Sequence, residues 1–241
     1  METIVKKPAV RPRDAASLVL INRDIGGEPA VLMGRRPQRQ SFMPDVFVFP
    51  GGAVDRGDAR TAAASELRPE VAAVLAGHCP VARGRALGIA AIRETFEETG
   101  LFLGTGGNPS HAEPASWTSL MAAARLPRLD TLGFLARAIT PPSQPRRFHA
   151  RFFIASASHL HGTLVSNGEL LELNWYPLSR AYNLPIAPIT ALVLHEASRA
   201  IEGAGDDRGT PVFSRRHGKR MVSYDLGNGR VLRGLFEGSS G

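Results

Sequence analysis

Between Ile89 and Leu101 one short segment carries two surfaces that cannot face the same surroundings. Wound as a helix at about 100° per residue, it gathers Glu94, Glu97 and Glu98 into one arc and sets Ile89, Ile92 and Phe96 on the opposite side. Such a helix docks its apolar side on a core and presents its carboxylates outward. Gly100 follows as the residue that best takes the left-handed conformation ending a helix. Carboxylates three and four residues apart repel by about 0.2–0.5 kcal/mol per pair, and Arg93 offsets part of this through Glu97, its i,i+4 neighbour. A cation above the arc would offset the rest, because hard divalent ions take oxygen ligands shared between carboxylates and substrate phosphates. A solvated helix face would leave the same pattern, so the surrounding sequence decides between them.

Arg93-Glu94-Thr95-Phe96-Glu97-Glu98-Thr99-Gly100-Leu101 resembles the second half of the Nudix box, G-x5-E-x7-R-E-U-x-E-E-x-G-U. Upstream, Phe49-Pro50-Gly51-Gly52 supplies the glycine, and five residues lead from Gly52 to Asp58, where the family has Glu. The arginine then stands at 93 instead of 66, so the box is interrupted by 27 residues. Phe42-Met43-Pro44-Asp45, Val48 to Asp55 and Asp58, followed by an insert, are similar to the Nudix branch that includes the mammalian peroxisomal coenzyme A diphosphatase. The likeness runs from about Ala15 to about Leu194.

The resemblance implies an α/β/α sandwich around a mixed β-sheet, carried by a single domain over 1–241. It implies Mg²⁺ or Mn²⁺ held by Glu94, Glu97 and Glu98, completed by a carbonyl at Gly52. Glu97 and Glu94 would act in catalysis, with Arg93 holding the carboxylates by ion pairing. Glu169 stands where the family places an acidic group outside the box, and Glu172 is the runner-up. The implied reaction is attack of water on phosphorus, cleaving a nucleoside diphosphate linked to another group. Coenzyme A or an acyl derivative ranks first, and ADP-ribose, NADH and dinucleoside polyphosphates follow. A Nudix-like nucleotide sensor without hydrolysis is the contrasting expectation, although the box carboxylates are retained and no DNA-binding motif is appended.

Composition narrows the partners. The net charge of +7 comes almost wholly from arginine, since lysine stands only at 6, 7 and 219. The basic residues are scattered and form no stripe, which disfavours nucleic acid and suits a phosphate-rich small molecule. Cys79 is the one cysteine, so no intrachain disulfide forms and a reducing compartment is expected. No apolar run approaches the roughly 18 residues that span a membrane. Met1 to Arg13 lacks a secretory h-region and Ser239-Ser240-Gly241 is no peroxisomal address. A cytoplasmic location is expected.

Along the chain, Ala15–Asn22 and Pro29–Arg35 around Asp24-Ile25-Gly26-Gly27-Glu28 read as a hairpin. Arg35, Arg36 and Arg39 follow it, as solvated residues or as forks on substrate phosphates. Val46–Phe49 is a short buried strand delivering Gly51 and Gly52 as a turn. The insert, about 59–85, holds a helix over Ser65–His78 with Ser65 as cap, at the edge of the cleft, where it either shapes substrate choice or simply packs. Gly104 to Pro114 is a loop, and Pro114–Leu126 a helix with Trp117, Leu120 and Met121 inward. Phe134–Thr140 and Phe148–Ser156 read as strands. Arg147 between them is a phosphate or ribose contact or a solvated edge residue, and His149 stands where the branch has Asp. A turn and strand around Asn167–Trp175 precede a helix from Pro188 to about Ala200. In the extension from about 205, Arg220–Leu226 and Arg230–Phe236 around Gly227-Asn228-Gly229 read as a β-hairpin, which could pair with a second subunit in a homodimer or cover a sheet edge.

Overall fold

The computed structural model describes residues 10–23, 26–40, 43–106, 116–203, 209–216, 219–226 and 231–235. The N-terminal arm before Val10, most of the loop ending at Pro114 and the Gly227-Asn228-Gly229 turn lie outside the described residues. β1 (Arg13–Asn22) and β2 (Ala30–Arg35) form the expected antiparallel hairpin, with Ile21 opposite Val31. β3 (Phe47–Val48) pairs with β2 and leads into β4 (Gly51–Ala53), which lies antiparallel to β1. The two glycines read as a turn are therefore a short strand. Their missing side chains let it lie directly against β1 and the box helix: a Cβ on Gly51 would stand 2.4 Å from the carbonyl oxygen of Ala16.

The insert is spent in two ways. It forms α1 (Pro69–Ala76), and it extends the box helix upstream, so that α2 runs Val81–Thr99. Ser65 does not cap α1. Its hydroxyl donates to Asp130 at 2.5 Å, while Pro69 opens the helix behind Arg68. Val71 and Leu75 of α1 are buried against α2, and no residue of α1 lines the large cavity described below, so the insert packs and does not border the cleft. β5 (Phe102–Leu103) follows α2. α3 (Trp117–Ala122) starts later than expected, at a capping box made by Ser116 and Ser119, and turns Leu120 into the core.

β6 (Gly133–Ile139) and β7 (Phe148–Ser156) pair antiparallel, and β7 runs parallel to β1. β8 (Leu160–His161) pairs with β5, and β9 (Leu171–Pro177) with β2. α4 (Leu178–Ala181) and α5 (Pro188–Ile201) complete the helices. The tail supplies β10 (Thr210–Arg216), β11 (Lys219–Asp225) and β12 (Val231–Leu235). β10 joins β6 in parallel, so the tail covers that sheet edge. The described strands order as β12-β11-β10-β6-β7-β1-β2-β3, with β4 on β1 and β9 on β2.

Alternation on β1 explains the layers. Ala16, Leu18 and Leu20 face α1 and α2, whereas Val19 and Ile21 face α5, whose Val193, Leu194 and Ala197 are fully buried. Side chains of this size stabilise by about 1.5–3 kcal/mol each when buried. Two helical layers on one mixed sheet make the expected α/β/α sandwich. No helix among the described residues is long and apolar enough to cross a membrane.

Beside α1, His78 and His149 are pushed down to about 4, chiefly by burial and further by Arg137 and Arg151; Asp225 and Asp14 act the other way. Because the unfolded chain takes protons first, near 6.5, these histidines add stability above that pH and lose it as the pH falls through about 4. Glu98, raised to about 8, acts with the opposite sign between its unfolded value and 8. The test is therefore a difference: between pH 6.5 and pH 4, His149→Gln should lose less urea stability than the parent. Equal losses would refute the assignment.

Candidate active site

The side chains of α2 make the site. Ile89, Ile92 and Phe96 are buried as predicted, and Gly100 closes the helix at φ 71°. Arg93 is also buried, at 6 % exposure. Its Nε and Nη2 donate to both oxygens of Asp58 at 2.9 and 3.1 Å. Its Nη1 donates to Glu94 Oε1 and Glu97 Oε2, each at 2.9 Å, and Nη2 also reaches the carbonyl of Ala53 at 3.0 Å. Burial opposes the Arg93 cation, but the Asp58 hydrogen bonds and the nearby acids outweigh it and raise its pKa. One guanidinium thus ties β4, the turn at Asp58 and two box carboxylates together.

Glu98 sits apart from that pair. The backbone N–H of Gly51 donates to its Oε2 at 2.9 Å, and burial pushes its carboxyl up to about 8 against that hydrogen bond. Burial likewise raises Glu94, with Arg93 pulling the other way. Among the described residues no three His, Cys, Asp or Glu side chains converge as a metal's ligands would, and Arg93 and Gly51 hold the three glutamates to different donors. Those bonds occupy Glu94 Oε1, Glu97 Oε2 and Glu98 Oε2, so each carboxylate keeps a second oxygen outside them. The donors are all oxygen, and burial disfavours the charge of Glu94 and Glu98, a chemistry that suits a hard divalent cation. Gly52 lies flat against this group: a Cβ there would stand 2.4 Å from Glu94 Cδ.

In front of β4 opens a cavity of about 900 Å³. Arg13, Arg36, Arg39 and Arg146 line it together with apolar groups such as Phe49 and Phe152, and Gly51 and Gly52 form part of its wall. Arg36 links the two regions. Burial lowers its pKa while Glu98 and Glu169 draw the other way, and its Nε is shielded without a hydrogen-bond partner.

The remaining predicted residues divide. Glu169 lies near enough to Glu98 and Arg36 to act on both electrostatically, and the side chain of Gln40 donates to its carbonyl at 3.4 Å. Arg35 is not in the cavity wall; it is clamped between Asp45 and Glu172, with Nη2 2.6 Å from Glu172. It fastens the 36–46 loop to β9, and Asp45 and Glu172 both have positive φ, 62° and 49°. This engages the runner-up carboxylate Glu172 as well. Arg147 is also outside the large cavity, donating to the carbonyls of Thr140 and Val10 at 3.0 and 2.6 Å. Asp58 is the residue with a part in the site that motif spacing placed without a role. Its acidic character six positions after Gly52 was the available signal.

A buried arginine thus ties glutamates on a sandwich helix to a glycine strand. No protein-family model matches the chain. A Caenorhabditis elegans protein with the provisional name nudix hydrolase 7 is 30% identical over 174 residues, 68% of this chain and 50% of that protein. The chain therefore spans half the length of that curated relative. The crystal structure of a NUDIX hydrolase from Alicyclobacillus acidocaldarius matches with a TM-score of 0.59 and 28% identity, covering 77% of this chain and 90% of that one. The structural likeness shows that the chain has a Nudix-like α/β fold.

Proposed function

We propose that the protein is a metal-dependent diphosphatase, cleaving a nucleoside diphosphate linked to another group. The observation that carries this is the Arg93-tied carboxylate set standing directly behind the Gly51–Gly52 wall of an arginine-rich cavity. Its volume of about 900 Å³ falls in the range of cofactor-sized pockets. Mg²⁺ or Mn²⁺ held by Glu94, Glu97 and Glu98 would neutralise the diphosphate and lower the pKa of a bound water. Arg36, reaching from the cavity wall toward Glu98, meets the phosphates. Arg93 orients Glu94 and Glu97 and touches no substrate. Glu97, the more exposed of that pair at 39% against 17%, or Glu169 in the facing loop, takes the proton from the attacking water.

Coenzyme A or an acyl derivative is the first-ranked substrate, resting on the interrupted box, with ADP-ribose and NADH next. The test is a product-resolved screen with Mg²⁺ or Mn²⁺. Release of a phosphopantetheine and an adenosine bisphosphate from coenzyme A supports chemistry and substrate together; cleavage of a different diphosphate keeps the chemistry and replaces the substrate. Glu97→Gln should lower turnover by at least about a hundredfold with an unchanged thermal midpoint. Undiminished turnover in that variant removes the site assignment, and tight nucleotide binding with no cleavage by the parent replaces the enzyme with a sensor.

A further inference from the structure

The strands around the β6–β7 connection carry different chemistry on their two faces. Ala138, Phe148, Ala150, Phe152 and Phe213 face the large cavity. Their alternate neighbours Arg137, Val212 and Ser214 line a second cavity of about 410 Å³ on the reverse face, and the Ile139–Pro141 corner walls both. The register explains the division, since Val212 stands opposite Arg137 and Phe213 opposite Ala138. Arg147, expected at the substrate, belongs to this second cavity, as does Arg215.

Among the described residues, three arginines and three hydroxyl residues, Thr140, Ser214 and Ser223, line it, with no carboxylate. Asp225 balances part of the charge, accepting from Arg137 Nη2 at 3.3 Å. Arg137 Nε remains shielded from solvent with no hydrogen-bond partner, and burial, followed by the nearby Arg151 charge, works against its cation. Arg151 behind it is fully buried, with a second unpartnered Nε. Positive charge is thus concentrated where water is partly excluded, which strengthens attraction for an anion. The volume is in the lower part of the range for small-molecule pockets and suits a mononucleotide-sized ligand or smaller.

We propose that this cavity is a second anion site, taking a small phosphate-bearing molecule on the face of the sheet opposite the large arginine-lined cavity. It does not depend on the diphosphatase assignment. Inorganic pyrophosphate, inorganic phosphate and AMP are titrated into the full-length protein without divalent cation, followed by amide NMR shifts. Saturable shifts at Ser214, Arg215 and Ser223 are expected, and Arg215→Gln, which alters an exposed side chain, should weaken binding severalfold. Arg147→Gln combined with Arg215→Gln should weaken it at least tenfold, whereas Arg36→Gln on the other face should leave it unchanged. Phosphate and pyrophosphate binding without a gain from AMP identifies an inorganic anion; tighter AMP binding identifies a nucleotide phosphate. Shifts confined to the Arg36 and Gly51 region, or affinity unchanged in both Arg215→Gln and the double variant, overturn the proposal.

Discussion

Replacing Arg93 with methionine is expected to destabilise the protein by about 3–5 kcal/mol, the usual consequence of leaving one partner of a buried ion pair uncompensated. The more exposed Glu97 would regain water, but Asp58 cannot, because only 2 % of it is exposed and both its oxygens face the guanidinium. Arg93→Lys keeps a charge yet cannot serve Asp58 bidentately while reaching Glu94 and Glu97, so a loss between parent and methionine is expected. The decisive measurement is a urea-unfolding cycle with Asp58→Asn. Removing the carboxylate charge should restore part of what Arg93→Met loses, making the double variant more stable than Arg93→Met alone. If Arg93→Met unfolds within about 1 kcal/mol of the parent, a margin typical of exposed pairs, the buried pair is not a structural tie.

This cluster also shows where sequence was informative. Strong periodicity made α2, α5 and the first hairpin legible, because each buries one face in a way that spacing records. The ion pairing of Arg93 with Glu97 followed from i,i+4 geometry, and the guanidinium does bridge Glu94 and Glu97. Contacts between distant segments left no such record. Arg35 and Arg36 are adjacent in sequence, yet Arg36 lines the large cavity while Arg35 is held by Asp45 and Glu172, 10 and 137 residues away. Ser65 looked like a cap by residue type, but Asp130 offered its hydroxyl a partner. β10 went unread because Thr210–Arg216 has little alternation, and its place is set by pairing with β6 and β11. The shared arc of Glu94, Glu97 and Glu98 was legible, but not that the Gly51 N–H would draw Glu98 away from the other two.

Alanine at Gly51 and alanine at Gly52 should fail in different ways, although the two positions are neighbours. At Gly51 the added Cβ would meet backbone: Ala16 O at 2.4 Å and Ser17 Cα at 2.6 Å, from a residue with φ 153°. Neither strand can move away without breaking the β1–β4 ladder, so Gly51→Ala should lose at least about 1–3 kcal/mol, the usual penalty for overpacking. It should also disturb the N–H that holds Glu98. At Gly52 the added Cβ would meet the carboxyl end of Glu94, with Cδ at 2.4 Å and Oε2 at 2.5 Å. A side-chain terminus can swing aside, so Gly52→Ala should stay within about 1 kcal/mol of the parent, as a relieved clash does. On the proposed diphosphatase reading, displacing Glu94 by an ångström or so should nevertheless be costly, since such misplacement reduces rates by up to about a hundredfold. The expected result is a folded, inactive Gly52→Ala and an unstable Gly51→Ala, measured by urea midpoint and diphosphate turnover on the same preparations. Full turnover in Gly52→Ala would mean that the position of Glu94 against β4 is irrelevant to the chemistry. Equal destabilisation of both variants would mean that the flexible carboxylate is held as rigidly as the backbone, which Arg93, gripping Glu94 and Asp58 at once, is placed to do.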